Sequence, residues 1–306
     1  MQEKNRNALP EDYSDLVAEE GRIWSENARQ YTQTTPPDWR MMRHEYNYRF
    51  VYRREIESLL DHIQPGQCVL EMGCSKGWLA LEMARRGAQV DAGDIAEGAL
   101  QIAQDYYENV RRTENIPGTV RYMVADINIW DFPVATYDWI VVRGTLHHTL
   151  RVREALEHIR AALKPDGIFW TSEPCDPSRI NALVAGGLMF VLPTQLSYRE
   201  KLGHLLRVRQ KSIQGMQAAI ETRGVSPFEG IGRPEKPLNV IRELFEIIDY
   251  EEKAAFAGFL SAELKLPYPV GAEVMRVLWA MDRVCVKLKL LHGLNYAVYA
   301  RARTGA

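Results

Sequence analysis

A chain of 306 residues with 46% hydrophobic content is long enough to bury a sizeable core, and it reads as one α/β unit with added elements. Its 38 basic and 40 acidic side chains leave a formal charge of -2, which removes the electrostatic argument for a nucleic-acid substrate and favours a small molecule. Cys68, Cys74, Cys175 and Cys285 form no Cys-x-x-Cys pair, so neither a structural zinc nor a disulfide scaffold is expected.

Residues 1 to 12 are polar and read as a tail; without the apolar centre of a signal peptide they point to a cytoplasmic protein. From Tyr13 to Tyr31 the apolar residues Leu16, Val17, Ile23, Trp24, Ala28 and Tyr31 have the spacing of an amphipathic helix. Thr34-Thr-Pro-Pro-Asp breaks it, and Trp39 to Leu60 predicts one or two further helices. Their Arg40, Arg43, His44, Tyr46, Tyr48 and Arg49 form either a solvated face or a set of contacts to an anionic or hydroxylated ligand.

The pattern then alternates: strand 67–72, helix 77–87, strand 88–94, helix 97–113, strands 119–124 and 137–143, helix 151–163 and strand 167–173. Such alternation predicts a Rossmann-like, doubly wound, mostly parallel sheet with helices on both faces and its ligand at the carboxyl ends of the strands. Glu71, Asp94, Asp126, Arg143 and Glu173 all fall at such ends and form one expected rim. Gly73 and Gly77 bracket the turn after the first strand, where a missing Cβ lets the backbone bend and approach a ligand while the next helix aims its amides into the crevice. Asp94 closes the second strand, where a carboxylate accepts hydrogen bonds from both hydroxyls of a ribose. The turn reads Glu-x-Gly-x-Ser-x-Gly and not the Gly-x-Gly-x-x-Gly of dinucleotide binders.

This stretch resembles the first motif of class I S-adenosylmethionine-dependent methyltransferases, in their small-molecule, type 11-like branch. Tyr122-Met-Val-Ala-Asp126-Ile looks like the family's third strand, ending in the acid that hydrogen-bonds the adenine amino group, and Phe132-Pro-x-x-x-Tyr-Asp138-Trp-Ile-Val-Val142 looks like its fourth. Leu146-His147-His148 is similar to the Leu-His-His that follows that strand, and Leu163-Lys-Pro-Asp-Gly167-Ile-Phe-Trp to the lead into the fifth. The resemblance covers about residues 65 to 175 and implies S-adenosylmethionine as cofactor, released as S-adenosylhomocysteine. Glu71, Gly73, Cys74, Ser75, Gly77, Asp94, Ile95, Asp126, Ile127 and Arg143 are its implied binding residues. Cys74 and Ser75 depart from a loop that is often richer in glycine. Trp24-Ser-Glu-Asn-Ala28-x-x-Tyr31 resembles the family's lid over the methionine end of the cofactor; simple packing of Trp24 and Tyr31 is the alternative.

Four parts are expected: a helical lid segment 1–64, the cofactor core 65–175, a helical insertion 176–236 capping the acceptor pocket, and the end of the core 237–306 with a second insertion at 261–291. Ile180 to Leu192 is an apolar run too short to span a bilayer, leaving a buried helix or an interfacial segment. Residues 195–221 are helical in pattern and 224–234 read as a loop. Leu238 to Phe245 predicts the last core helix, Ile247 to Phe256 the sixth strand and Leu294 to Arg301 the seventh. Between them Val274, Met275, Leu278, Trp279 and Met281 make an apolar stripe, read as core, as a homodimer face or as the wall of an apolar pocket, and Lys287 and Lys289 keep a membrane-surface contact open.

Methyl transfer from a sulfonium is an in-line displacement, so the protein's task is to align acceptor and methyl and to exclude water. A hydroxyl acceptor must lose a proton, and a histidine is suited to take it. His148 is the first candidate and His147 the second; the alternative is that both only orient their loop. No Asp, Asn or His cluster at ligand spacing supports them, so no metal is expected. The expected function is O-methylation of a partly apolar small molecule, in secondary metabolism or on a sugar or lipid-linked intermediate. N- or C-methylation, or a cofactor-binding protein with other chemistry, are the alternatives.

Overall fold

The computed structural model describes residues 9–44, 48–175, 178–202, 226–230 and 235–303. Its centre is set by β1 (Cys68–Met72) and β4 (Tyr137–Arg143), whose alternate residues are apolar on both faces, as a strand covered on two sides requires. Leu70, Ile140 and Val142 point to one face, with Leu156 and Ile159 of α6 (Val152–Ala162) and Ile241 of α8 (Pro237–Leu244). Val69, Trp139 and Val141 point to the other, against Ile56 and Leu59 of α3 (Arg53–His62) and Leu79 and Met83 of α4 (Trp78–Arg85). With β2 (Gln89–Asp94), β3 (Thr119–Val124), β5 (Leu163–Pro174), β6 (Phe245–Lys253) and β7 (Asn295–Ala302), the strands form one seven-stranded sheet in the order β3-β2-β1-β4-β5-β7-β6. The first five are parallel and β7 runs antiparallel to both neighbours. The order reverses between β1 and β4, and a ligand crevice belongs at that point.

Helix α1 (Tyr13–Thr32) lies against α5 (Glu97–Thr113) through small side chains. Ala28 packs on Ala96 and Ala99, and Ser25 Oγ accepts the Gly98 amide at 3.1 Å. Of the expected apolar residues Ile23 and Ala28 are buried, whereas Trp24 and Tyr31 are exposed towards the cavity described below. Short α2 (Trp39–Met42) and a π-helical turn, Tyr48–Tyr52, lead into α3.

The second half of the chain adds a helical lobe of α7 (Arg179–Val191), α9 (Ala257–Glu263) and α10 (Tyr268–Lys287), packed around Ala185, Phe256, Leu260, Met275 and Leu278. The structure adjusts three expectations here. Met281 is 51% exposed and does not belong to the inner stripe; the i, i+3, i+4 register through Met275 and Leu278 reaches Asp282 instead. Asp282 is fully buried and accepts the Ala255, Phe256 and Ala257 amides at 3.0, 2.7 and 2.8 Å, which caps α9. The run from Ile180 is only half covered, since Ile180, Leu183 and Val191 are exposed on α7. β6 ends at Lys253 and not at Phe256 because Ala254 takes a positive φ of 62° and turns the chain towards α9. Tyr46, most of the expected 195–221 helix and much of the 224–234 loop lie outside the described residues.

Candidate active site

A cavity of about 700 Å³ opens at the carboxyl ends of β1, β2 and β4, beneath α1. Its floor is the turn after β1. Gly73 has φ of 78°, and a Cβ there would fall 1.8 Å from Thr145 Oγ1; the glycine is required by the post-β4 loop pressing on this turn. Ser75 also takes a positive φ, 47°, a conformation that costs a non-glycine residue about 1 kcal/mol or more. Its amide donates to Asp94 Oδ2 at 2.7 Å, and the Ala96 amide donates to Oδ1 at 2.8 Å, so Asp94 pins the turn as well as facing the cavity. Burial pushes the Asp94 carboxyl up, against those amide bonds.

Glu71, at the end of β1, is 4% exposed and its Oε2 has no hydrogen-bond partner. Burial pushes its carboxyl up to about 8; the Arg143 guanidinium opposes the rise and the Asp94 charge adds to it. Arg143 is held among aromatic faces, its Cζ 4.6 Å from the Tyr52 ring centre and 5.7 Å from that of Trp78, while its buried Nε is also without a hydrogen-bond partner. At the far end Asp126 is tied on both oxygens. Oδ1 accepts the amide and side-chain Nδ2 of Asn128 at 2.9 and 3.1 Å, and Oδ2 accepts the Tyr13 hydroxyl from α1. Burial, together with that hydrogen bond, raises the Tyr13 phenol, which stays protonated.

The two histidines of the 3₁₀ turn Leu146–His148 have different partners. Glu173, buried at the end of β5, accepts the Thr145, Leu146 and His147 amides at 2.9, 3.0 and 3.3 Å and holds His147 Nδ1 at 2.7 Å. His147 is thereby fastened to the sheet and does not line the cavity, whereas His148 does. His148 Nδ1 lies 3.2 Å from Glu20 Oε1 and 2.9 Å from Ser226 Oγ, and its ring meets Trp24 edge-on at 5.8 Å. Glu20 sits on α1, 2% exposed, and its Oε1 also accepts the Trp24 indole N–H at 2.7 Å.

The expected residues Glu71, Gly73, Cys74, Ser75, Asp94, Ile95, Asp126, Ile127, Arg143 and His148 thus share one cavity. Gly77 and His147 do not reach it. Gly77 is the left-handed cap of α4 at φ of 69°, and its missing Cβ makes room for the Tyr122 ring, whose hydroxyl would lie 2.6 Å away. Glu20, Asn128, Thr145 and Phe228 line the cavity and were not expected. For Asn128 a signal existed: Asp-x-Asn is a turn pattern in which each side chain bonds local backbone. Among the described residues no group of His, Cys, Asp and Glu is placed to hold a metal ion.

Residues 42–216, more than half of the sequence, match the family described as Methyltransferase domain. The chain belongs to this methyltransferase family. It is 34% identical over 129 residues to an uncharacterized methyltransferase of Mycobacterium tuberculosis, covering 42% of this chain and 61% of that protein. It is 27% identical over 160 residues to a mitochondrial arginine-hydroxylase of Rattus norvegicus, covering 52% of this chain and 41% of that one. This methyltransferase-family chain therefore spans less than two thirds of the curated relatives it matches. Among solved structures, geranyl diphosphate C-methyltransferase from Streptomyces coelicolor shares the fold, with a TM-score of 0.50 and 12% identity over 82% of this chain and 79% of that one. The residues present fit a nucleoside cofactor bearing a cation: a carboxylate ends β2, and an orphaned carboxyl oxygen on Glu71 lies beside the turn.

Proposed function

We propose that the protein transfers the methyl group of S-adenosylmethionine to a small, partly apolar molecule, and that a hydroxyl is the accepting group. The observation that carries the reading is His148 facing the same cavity as the acid rim, with Glu20 behind its Nδ1. Asp94 would accept the ribose hydroxyls through its remaining lone pairs, and Asp126 would meet the adenine edge by exchanging or sharing the Tyr13 hydroxyl. Glu71 would face the positively charged methionine portion. When bound, the cofactor supplies an electrophilic methyl group, and the chain's residues align the acceptor to it.

In the tautomer we infer, His148 Nδ1 carries its hydrogen towards the oxygens of Ser226 and Glu20, at 2.9 and 3.2 Å. Nε2 is then the lone-pair nitrogen, in the form a general base requires. His147 serves by position alone: with Glu173 it fixes the turn that presents His148. The insertions 176–236 and 261–291 would supply the acceptor cap, of which Phe228 already lines the cavity.

Calorimetry with S-adenosylhomocysteine tests the cofactor, and incubation of cell extract with methyl-labelled S-adenosylmethionine followed by mass spectrometry tests transfer. Tight binding with one new labelled product is expected. Binding without any labelled product would favour the second reading, a cofactor-binding protein of other chemistry, which the arginine-hydroxylase relative keeps in view. No binding at all would overturn both.

A further inference from the structure

Helix α10 is apolar on two faces about 120° apart. Met275 and Leu278 pack inward against Phe256 and Leu260. Outward, Val270, Val277, Met281 and Val284, with Leu288 at the cap, are each more than half exposed. Their spacings of three, four and seven residues stack them in one narrow stripe along the helix. Single exposed apolar residues need no cause, but a continuous stripe on a helix already packed on another face does.

The charges beside the stripe say what covers it. At 100° per residue, Arg276, Arg283 and Lys287 fall in a row on one flank, about 110° round from the stripe, and Lys289 follows just past the helix end. Of the two acids of the helix, one offsets only Arg276, leaving Arg283, Lys287 and Lys289, and the other faces inward. Glu273 pairs with Arg276 at 2.6 Å, and Asp282 is buried on the inner face. An apolar strip with cations on one flank is the pattern of a helix lying in the plane of a lipid surface. A second copy of the chain is a poorer match, because a two-fold pairing on this stripe brings no exposed acidic row of its own to meet the cations. Among the described residues no helix is long and apolar enough to cross a membrane, so the contact is peripheral.

We propose that the outer face of α10 docks the protein on an anionic membrane surface. Valines, Met281 and Leu288 enter the boundary of the acyl chains while Arg283, Lys287 and Lys289 meet headgroup phosphates. The docking is independent of the cavity chemistry and holds whether or not methyl transfer is the reaction.

The test is sedimentation of the full chain with vesicles of phosphatidylcholine alone, and with about a third of the lipid replaced by phosphatidylglycerol. Binding to the anionic vesicles only, weakened by salt, is expected. Arg283→Glu with Lys287→Glu should lower partitioning at least about tenfold, since each basic residue near such a surface contributes roughly a fivefold factor. Val284→Asp should lower it as well. All three positions are exposed, so thermal unfolding and S-adenosylhomocysteine binding serve as controls that should not move. Failure to bind either vesicle overturns the proposal. So does equal binding to both, or a stable dimer in sedimentation equilibrium that the same substitutions dissociate.

Discussion

Replacing Glu71 by Gln should flatten a pH dependence that the wild type carries. Glu71 is 4% exposed and holds its proton up to about 8 in the folded protein, against an ordinary glutamate value near 4.5 in the unfolded chain. Between those values the folded state binds more protons than the unfolded one, so stability falls as pH rises and levels off above about 8. At about 1.4 kcal/mol per pKa unit, the loss between pH 5 and pH 9 is about 4 kcal/mol. The Gln side chain has nearly the same shape and never ionises. Urea unfolding of both proteins across that range, read as wild type minus variant, cancels the titrating groups that do not interact with Glu71. A difference that grows by several kcal/mol towards high pH is expected. Parallel curves would refute the reasoning and mean that Glu71 is ionised in the fold, with Arg143 or water satisfying it.

Three further outcomes follow from the same geometry. His148→Ala should lower turnover about a hundredfold with cofactor affinity intact, and Glu20→Gln about tenfold with loss of the Nδ1–H tautomer in nitrogen NMR; rate measurements at saturating substrate check both. Lys253, buried against Glu55, which also accepts from Ser172 Oγ at 3.1 Å, leaves an uncompensated charge when changed to Met. That change should cost about 3 to 5 kcal/mol in urea unfolding, largely recovered by adding Glu55→Leu. Gly73→Ala should destabilise by about 2 kcal/mol or more, from the positive φ and the collision with Thr145 Oγ1, and Thr145→Gly should relieve only the collision.

The core was legible because its physics leaves few options. Strands buried on both faces must be apolar runs, so β1 and β4 stood out, and acids at strand ends are few enough to be read as a rim. Glu20 was not legible. It stands beside Glu19 and Arg22 on a helix, where a carboxylate reads as solvated surface, and nothing local shows that His148 folds over it. The packed face of α1 was hidden for a related reason. Close approach to α5 is made by Gly21, Ser25 and Ala28, small residues that carry little hydrophobic signal, while the large Trp24 and Tyr31 turn to the cavity. Met281 failed as a core residue because on a helix with a second, outward apolar stripe a small change of phase leaves the pattern almost unchanged.

Helix α1 thus ties together two ends of the cavity that the sheet keeps apart. Its Tyr13 donates to Asp126 at the end of the cavity proposed for adenine, and its Glu20 Oε1 lies 3.2 Å from His148 Nδ1 at the other. Between those points it is held to α5 by small-residue contacts and the Ser25 to Gly98 hydrogen bond, with few large apolar side chains committed. Few buried apolar contacts mean a low cost of local opening, which a lid over a ligand site needs. Any motion of α1 that uncovers the cavity also separates Glu20 from His148. The same closure that would exclude water therefore brings the Glu20 carboxyl back beside His148 Nδ1, and under the proposed role of His148 the base would be complete only when the cavity is shut.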